Sequence, residues 1–366
     1  MKIVFVVDNY SGGAGNIVQL LATEYAKAND VSVLLTNQSG SKRYECKNVK
    51  FYELSAEEKP KGSLRVVRYQ IKWIKRHLKT LNPDVVISFL TANTIFTAFG
   101  QLHSRLPLIA CERLCPTDLP AKFFKFPWSF LMGVAYRRAD VLTVQFQEFV
   151  PLYGGKYTEK CMVTPNNISK PDRFWKERES DVMRFISCGR LNFPKQFDLL
   201  IDMFAEIHEK NPKTELLIYG KGPYEERLKK HIVDAGLSGT AFIKGYTTDT
   251  YGVLCDADIY LMSSKQEGFP NALSEAMAVG MPSISFRCNS GIDELADYGR
   301  RGKVVDANDK EAFVAAALEL CENREMRAEY SKNAKEVSDI YSLDKVKKIW
   351  DECIETAISR RKKRTK

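Results

Sequence analysis

Apolar, strand-like segments alternate with amphipathic helical segments along this chain, and the alternation runs through it twice. In the first run the strand-like segments are KIVFVV (2–7), DVSVLLT (30–36), PDVVISFL (83–90), LPLIACE (106–112) and ADVLTVQF (139–146). A strand, a helix and a further strand in succession build a parallel sheet with helices on its faces. The first half of the chain is therefore expected to form an α/β domain.

The alternation restarts after VTPNNISKPDRFWKERES (163–180), a stretch rich in proline, asparagine and charge. The second set of strand-like segments is MRFISCGRL (183–191), TELLIYG (214–220), TAFIKGY (240–246), DIYLMSS (258–264), PSISFR (282–287) and GKVVD (302–306). A chain of 366 residues is also long for a single hydrophobic core. We expect an α/β protein with two Rossmann-like domains.

We place the N-terminal domain at 1–165, an interdomain linker at 166–180 and the C-terminal domain at 181–342. Residues 343–366 are expected to form a last helix, which crosses back to the N-terminal domain, and a basic tail. Two such domains would face each other across a cleft. Ligands commonly bind in a cleft of this kind.

Cysteine usage and hydrophobicity indicate the compartment. The nine cysteines are scattered without a C-x-x-C pair, which is typical of reduced thiols in a cytoplasm. The N-terminal apolar run is too short for a signal peptide, and no run approaches the roughly 18 apolar residues of a membrane-spanning helix. We expect a cytoplasmic protein.

The net charge of +9 is concentrated in two places. The tail RRKKRTK (360–366) carries six cations, and for it alone a frayed, solvated end is the favoured interpretation. The segment RVVRYQIKWIKRHLKT (65–80) has no acid, and its cations follow helical spacing: Arg65, Arg68, Lys72, Lys75, Arg76 and Lys79. Together they indicate an anionic membrane surface or a phosphate-bearing substrate. Nucleic acid is disfavoured, because no nucleic-acid-binding module accompanies the charge.

The segment QEGFPNALSEAM (266–277) sets two glutamates eight residues apart. A single helix would be broken by Pro270, which lacks an amide proton. We interpret the segment as a strand end, a tight loop and a helix capped by Asn271 and ended by Gly280. Glu267 and Glu275 would then both face the crevice at the carboxyl edge of the sheet.

Three further motifs lie beside predicted strands. Asp256 and Asp258 resemble a metal-binding D-x-D, but they flank a helix end and a strand start, so a turn is favoured and no metal is expected. SGGAG (11–15) is not a G-x-G-x-x-G fingerprint. Two interpretations of SGGAG are equally favoured: a tight turn between a strand and a helix, and a backbone that closely approaches a phosphate group at the start of the helix. Arg190 and Lys195, near a strand end and a helix start, could converge on a diphosphate.

In their order along the chain, GRLNFPKQFDLLI (189–201), LIYGKGP (217–223) and EGFPNALSEAMAVGMP (267–282) match a known pattern. Residues 183–282 resemble the C-terminal domain of the family 4 retaining glycosyltransferases, which have the two-domain GT-B fold and an E-x7-E signature. The N-terminal domain resembles them through SGGAG, PDVVISFL and TPNNI. The resemblance covers nearly the whole chain.

The resemblance implies roles for individual residues. Glu275 would hold the ribose hydroxyls of a nucleotide-sugar donor, and Glu267 would hold hydroxyls of the transferred sugar. The diphosphate would lie against backbone amides and two cations, and the nucleobase would meet the end of the third strand. The implied donor site comprises Gly12, Gly13, Arg190, Lys195, Gly245, Tyr246, Glu267, Gly268, Phe269, Pro270, Asn271, Ala272 and Glu275, with Glu267, Arg190 and Lys195 catalytic.

No metal or other cofactor is then required, since cations and a helix dipole stabilise the leaving diphosphate. Two positions depart from the family pattern. Relatives often carry a histidine after the strand that ends in LIACE, where this chain has Glu112 and Arg113. The family's usual Lys-Gly is Lys195-Gln196 here.

The resemblance implies a hexosyl- or N-acetylhexosaminyltransferase that uses a nucleoside diphosphate donor, expected to be UDP-linked. The acceptor would be a glycan, such as one linked to undecaprenyl diphosphate, in bacterial surface polysaccharide or glycoconjugate synthesis. Binding of the acceptor or of the inner face of the plasma membrane is assigned to Arg68, Lys72, Lys75 and Arg76. The aromatic residues and cations of the segment 121–138 fit two interpretations equally well: a segment that lies at a membrane interface, and an ordinary core helix with an aromatic loop. A GT-B UDP-sugar epimerase and a non-catalytic, nucleotide-sugar-binding partner of another transferase are the alternatives.

Overall fold

The computed structural model describes residues 1–10, 12–37, 46–55, 63–288 and 291–364. The chain divides into two compact units, Met1–Pro165 with Val346–Lys366, and Asn166–Lys345. Each unit is built around one parallel sheet, which confirms the predicted fold class. Ser11 of the glycine-rich turn and residues 365–366 of the tail lie outside the described residues.

The first unit has a seven-stranded sheet in the order β3-β2-β1-β4-β5-β6-β7. Its strands are β1 (Lys2–Val7), β2 (Asp30–Leu35), β3 (Val49–Glu53), β4 (Val85–Phe89), β5 (Leu108–Cys111), β6 (Val141–Val144) and β7 (Cys161–Val163). Its helices are α1 (Gly12–Tyr25), α2 (Ser63–Leu81), α3 (Thr91–Gly100), α4 (Trp128–Arg138) and α5 (Gly155–Thr158), together with the final helix α14 (Leu343–Arg364).

The strands at the centre of this sheet are continuously apolar because both faces of the sheet are covered. Phe5 of β1 lies opposite Val33 and Ile87 in the parallel ladders, and all three side chains are fully buried. Trp350 of α14 is also fully buried and stacks on Phe89 with ring centroids 5.9 Å apart. The last helix therefore returns to the first unit, as predicted.

The expectation of a frayed C-terminal tail is wrong for the described residues. Helix α14 continues to Arg364, and the guanidinium of Arg361 donates to the Asp140 carboxylate at 2.9 and 3.0 Å. Asp140 is fully buried, and Arg360 donates to its carbonyl. The tail arginines are held because a buried carboxylate requires paired cations, a long-range relationship that local composition does not reveal.

The second unit has a six-stranded parallel sheet in the order β10-β9-β8-β11-β12-β13. Its strands are β8 (Met183–Cys188), β9 (Thr214–Tyr219), β10 (Ala241–Gly245), β11 (Ile259–Met262), β12 (Ser283–Phe286) and β13 (Lys303–Val305). Its helices are α6 (Phe197–Lys210), α7 (Glu225–Asp234), α8 (Thr250–Cys255), α9 (Asn271–Val279), α10 (Ile292–Leu295), α11 (Lys310–Glu322), α12 (Arg324–Ala334) and α13 (Glu336–Ile340).

Helices α6 and α11 supply much of the hydrophobic core of the second unit, including the fully buried Phe204 and Phe313.

Within the described ranges, no helix combines the length and the apolarity needed to cross a bilayer.

Candidate functional site

Two neighbouring strands of the second sheet end where its strand order reverses. Strand β8 ends at Cys188 and strand β11 at Met262, and the two strands pair directly, with Ile186 opposite Tyr260. In open α/β sheets, ligands bind beyond the carboxyl ends of strands at such a reversal. The predicted cations follow β8, and the predicted glutamates follow β11.

The loop after β8 carries Lys195 in a tight turn, Phe193–Lys195. The backbone amide of Lys265 donates to the Pro194 carbonyl at 2.8 Å, and the Ser263 hydroxyl donates to the Lys195 carbonyl at 2.9 Å. The loop after β11 therefore fixes the loop after β8. Ser263 was not predicted, although its place directly after a buried strand at the carboxyl edge was a usable signal.

The predicted cation Lys195 and the predicted carboxylate Glu267 form an ion pair. The Nζ atom of Lys195 lies 2.5 Å from Oε1 of Glu267, and the two side chains are only 20% and 11% exposed. Partial burial strengthens a charge-assisted hydrogen bond, because less water screens it. The pair is a pre-oriented cation and carboxylate at the strand reversal.

Close backbone packing explains the glycines of the IYGKGP motif. A Cβ atom on Gly220 would lie 1.8 Å from the Gly189 carbonyl oxygen, and one on Gly222 would lie 2.2 Å from the Leu191 carbonyl oxygen. Only glycine allows an approach of this kind. The motif packs the loops after β8 and β9 against each other, beside Lys195.

Helix α9 presents the second glutamate. Glu275 is the fifth residue of the helix, and burial raises the pKa of its carboxyl group to about 7, an effect that the nearby Lys195 charge partly offsets. Among the described residues, no hydrogen-bond donor contacts this carboxylate. A half-buried acceptor without a donor is suited to receive ligand hydroxyls.

The predicted cap of α9 is wrong in detail. Pro270 occupies the N-cap position without a side-chain cap, and Asn271 is the first helical residue. The Oδ1 atom of Asn271 instead accepts a hydrogen bond from Nδ2 of Asn166 at 2.9 Å. Gly280 ends the helix in the left-handed conformation, as predicted.

The remaining donor-site predictions fall at the rim of this region or in the other unit. Arg190 is exposed, and no acid of the described residues pairs with it. Gly245 ends β10 with φ of +76°, and the exposed Tyr246 ring follows it, 5.9 Å from Nζ of Lys221. Gly12 and Gly13 open α1 of the first unit. Of the predicted residues, Lys195, Glu267 and Glu275 thus lie around β8, β11 and α9, whereas Gly12 and Gly13 lie in the other unit.

Arg113, which stands near the position of the family histidine, is a structural residue of the first unit. Its guanidinium donates to the Thr164 carbonyl at 2.9 Å and lies 5.2 and 5.3 Å from the ring centroids of Phe89 and Trp350. Its neighbour Glu112 is also buried, and burial raises the pKa of this carboxyl group to about 7.

The Asp256–Asp258 segment lies in a turn, as the favoured interpretation had it. Asp256 ends α8, and the Asp258 carboxylate accepts hydrogen bonds from the Arg178 guanidinium at 2.8 Å and the Arg184 amide at 2.7 Å.

One family model matches the part of the chain that contains this site. Residues 169–337 match the model of the family "Glycosyl transferases group 1". The matched residues include Glu267, Glu275, Lys195 and Arg190.

Curated relatives extend the similarity beyond the residues that match this family model. The amylovoran biosynthesis glycosyltransferase AmsD of Erwinia amylovora is 24% identical over 96% of this chain and 99% of its own length. The GalNAc-α-(1→4)-GalNAc-α-(1→3)-diNAcBac-PP-undecaprenol α-1,4-N-acetyl-D-galactosaminyltransferase of Campylobacter jejuni is 25% identical over 96% and 97%. The exopolysaccharide phosphotransferase SCO2592 of Streptomyces coelicolor is 26% identical over 79% of this chain, but only 30% of that protein is covered.

Solved structures show the same architecture. The structure of Anabaena Alr3699/HepE in complex with UDP and glucose matches with a TM-score of 0.79 at 18% identity, over 97% of this chain and 100% of that chain. The chain therefore has the two-domain GT-B fold.

Proposed function

We propose that the protein is a retaining glycosyltransferase that moves a hexosyl or N-acetylhexosaminyl group from a UDP-linked donor to a glycan acceptor. The observation that carries the proposal is the Lys195–Glu267 ion pair beside Glu275 at a strand reversal, within the residues that match the group 1 family model. UDP is favoured because the Anabaena protein of the same fold was solved in complex with UDP and glucose. Retention is proposed from the family 4 resemblance of the E-x7-E segment.

In the proposed complex, Glu275 accepts hydrogen bonds from the ribose hydroxyls, and Glu267 accepts them from the transferred sugar. Lys195 and Arg190 neutralise the diphosphate, which lies at the N-terminus of α9. Gly245 and Tyr246 meet the nucleobase at the end of β10. The role of this arrangement is to stabilise the negative charge that develops on the leaving diphosphate.

We also propose that no metal ion is needed. The cations and the helix dipole supply the positive potential that a divalent ion supplies elsewhere. Asp258, the buried carboxylate of the D-x-D segment, is already engaged by Arg178 and Arg184. Unchanged turnover in EDTA is expected; full loss of turnover restored by Mg²⁺ or Mn²⁺ would refute this proposal.

The acceptor is proposed to be lipid-linked, with the protein at the inner face of the plasma membrane. Helix α2 exposes four predicted cations, Arg68, Lys72, Lys75 and Arg76, and none of them pairs with an acid of the described residues. Their helical spacing places them on one face, opposite the buried Ile74 and Leu78. The name of the Campylobacter relative specifies an undecaprenol diphosphate acceptor, which supports this choice.

Exposed aromatic side chains support the membrane part of the proposal. Phe126 is 83% exposed and Phe124 is also exposed on the segment that leads into α4, and Phe130 is exposed near the start of α4. Lys122 and Lys125 flank them. Aromatic side chains among cations are typical of a surface that lies in a lipid interface.

Incubation with UDP-sugars tests the proposed activity against its alternatives. Release of UDP that depends on a lipid-linked glycan acceptor is the expected result. Interconversion of UDP-sugars without acceptor would instead indicate an epimerase. Binding without turnover would indicate a partner of another transferase. Mass spectrometry of membrane extracts incubated with a panel of donors identifies the transferred sugar.

A further inference from the structure

Residues 166–178, part of the predicted interdomain linker 166–180, are fastened along the second unit. We call this segment the strap. It has no regular secondary structure, yet Asn166, Ile168 and Trp175 are buried. Irregular backbone of this kind remains in place only where its polar groups find partners. Several polar groups of the strap form hydrogen bonds with the rest of the second unit.

The strap holds helix α9 at both ends. At the start of the helix, Nδ2 of Asn166 donates to Oδ1 of Asn271 at 2.9 Å. At its end, the backbone amide of Trp175 donates to the Val279 carbonyl at 2.8 Å. Glu275 lies between these two attachments. The position of the helix along its axis is therefore fixed by the strap.

The strap is itself anchored to the rest of the unit. The Trp175 indole N–H donates to the Ala257 carbonyl at 2.8 Å, and Tyr251 donates to the Ser169 carbonyl at 2.8 Å. The amide of Ile168 donates to the Tyr341 carbonyl at 2.8 Å. The Tyr341 ring in turn packs edge-on against Phe269, with centroids 5.8 Å apart. Phe269 belongs to the loop that precedes α9.

We infer that Asn166 is a positioning residue for the nucleotide-sugar site, acting through Asn271 on the first turn of α9. The inference rests on the proposed function, because the amides of that turn are the ones assigned to the diphosphate. Asn166 does not itself touch the proposed ligand; it fixes the direction of the amides that do. Without it, the first turn of the helix is free to fray, since Pro270 supplies no side-chain cap.

Two variants test the inference. Asn166→Ala removes the donor. Ser169→Ala is the matched control, because Ser169 contributes its backbone carbonyl to the attachment of the strap and its side chain makes no hydrogen bond with the residues that the structure describes. Asn271 is exposed, so water replaces the lost donor and the melting temperature should hardly change.

Hydrogen exchange of the ligand-free protein is the first readout. Amides in the first turn of α9 are expected to exchange about threefold to tenfold faster in Asn166→Ala, the effect of one net hydrogen bond. Ser169→Ala should exchange like the wild type. Equal exchange in all three proteins, or uniform acceleration throughout the second unit, would overturn the inference.

Titration with UDP is the second readout. The Kd for UDP should rise by about the same factor in Asn166→Ala, with the KM for the acceptor unchanged. A wild type that does not bind UDP would overturn the proposed function alone, because the exchange result stands without ligand. A wild type that binds UDP, with Asn166→Ala binding equally well, would overturn the positioning role.

Discussion

Lys195 and Glu267 form an ion pair in which Nζ and Oε1 lie 2.5 Å apart. Lys195→Ala removes the cation proposed for the diphosphate and leaves a mostly buried carboxylate unpaired. We expect kcat/KM to fall by the equivalent of about 2–4 kcal/mol of transition-state stabilisation. Steady-state kinetics at saturating acceptor measure the effect.

The matched control for this variant is Lys229→Ala. Lys229 is an exposed lysine of the same unit, paired with Glu225 and Glu226 on α7. Removing it should change kcat/KM by less than about twofold, since exposed ion pairs contribute little. Similar kinetics for the two variants would remove Lys195 from the site.

The raised pKa of Glu275 predicts a pH-dependent stability difference. Below its unfolded pKa of 4.5 the carboxyl group is protonated in both states, and burial costs nothing. As the pH rises to about 7, the folded state must hold a desolvated charge, so stability is lost. Glu275→Gln carries no charge and avoids this loss.

The melting temperature of Glu275→Gln relative to the wild type should therefore rise between about pH 5 and about pH 7, and level off above that range. Glu112 titrates in the same range but is present in both proteins, so its contribution cancels. A difference that stays constant with pH would show that Glu275 has an ordinary pKa.

Gln196 occupies a conformation that favours glycine, with φ of 49° and ψ of 42°. Its Cβ atom makes the left-handed region costly, so Gln196→Gly should raise the free energy of unfolding by up to about 1 kcal/mol. Chemical denaturation measures the change. Gln196→Ala keeps the Cβ atom and should give no gain; equal effects of the two substitutions would exclude backbone strain as the cause.

This strained residue shows what the sequence could predict and what it could not. The departure from Lys-Gly was visible in the sequence, but the positive φ required the structure. The central strands and the E-x7-E loop were predictable because continuous apolar runs and proline have local consequences. Strands β3 and β7 were missed because they are short, only partly buried and at the sheet edges.

The strap and the tail both depend on long-range contacts. Asn166 and Asn271 are 105 residues apart in sequence, and Arg361 is 221 residues from Asp140. Composition predicted a linker for the strap and a solvated end for the tail. A polar segment that is exposed to solvent and a polar segment that bonds to distant residues can have the same amino-acid composition. Only the fold distinguishes these two cases.

The basic face of α2 predicts acceptor-specific kinetics. In the double variant Arg68→Ala with Lys75→Ala, the KM for a lipid-linked acceptor should rise while the KM for the donor stays constant. The effect should shrink between about 0.1 M and about 1 M salt, as the screening length falls from about 10 Å to about 3 Å. A detergent-soluble sugar acceptor should be unaffected.

The control replaces two exposed lysines of the second unit, Lys213→Ala with Lys229→Ala. This variant should behave like the wild type with both acceptors. Equal effects of the α2 double variant on both acceptors, or none on either, would leave α2 as a solvated face whose charges contribute within about 1 kcal/mol.

Calorimetric titration of UDP into the wild type and Glu275→Ala tests the central claim most directly, because it needs neither the sugar nor the acceptor to be known. The account predicts one UDP site in the wild type and a Kd at least about tenfold higher in Glu275→Ala, the effect of losing a charged hydrogen-bond acceptor. No binding of UDP by the wild type, or equal binding by both proteins, would contradict it.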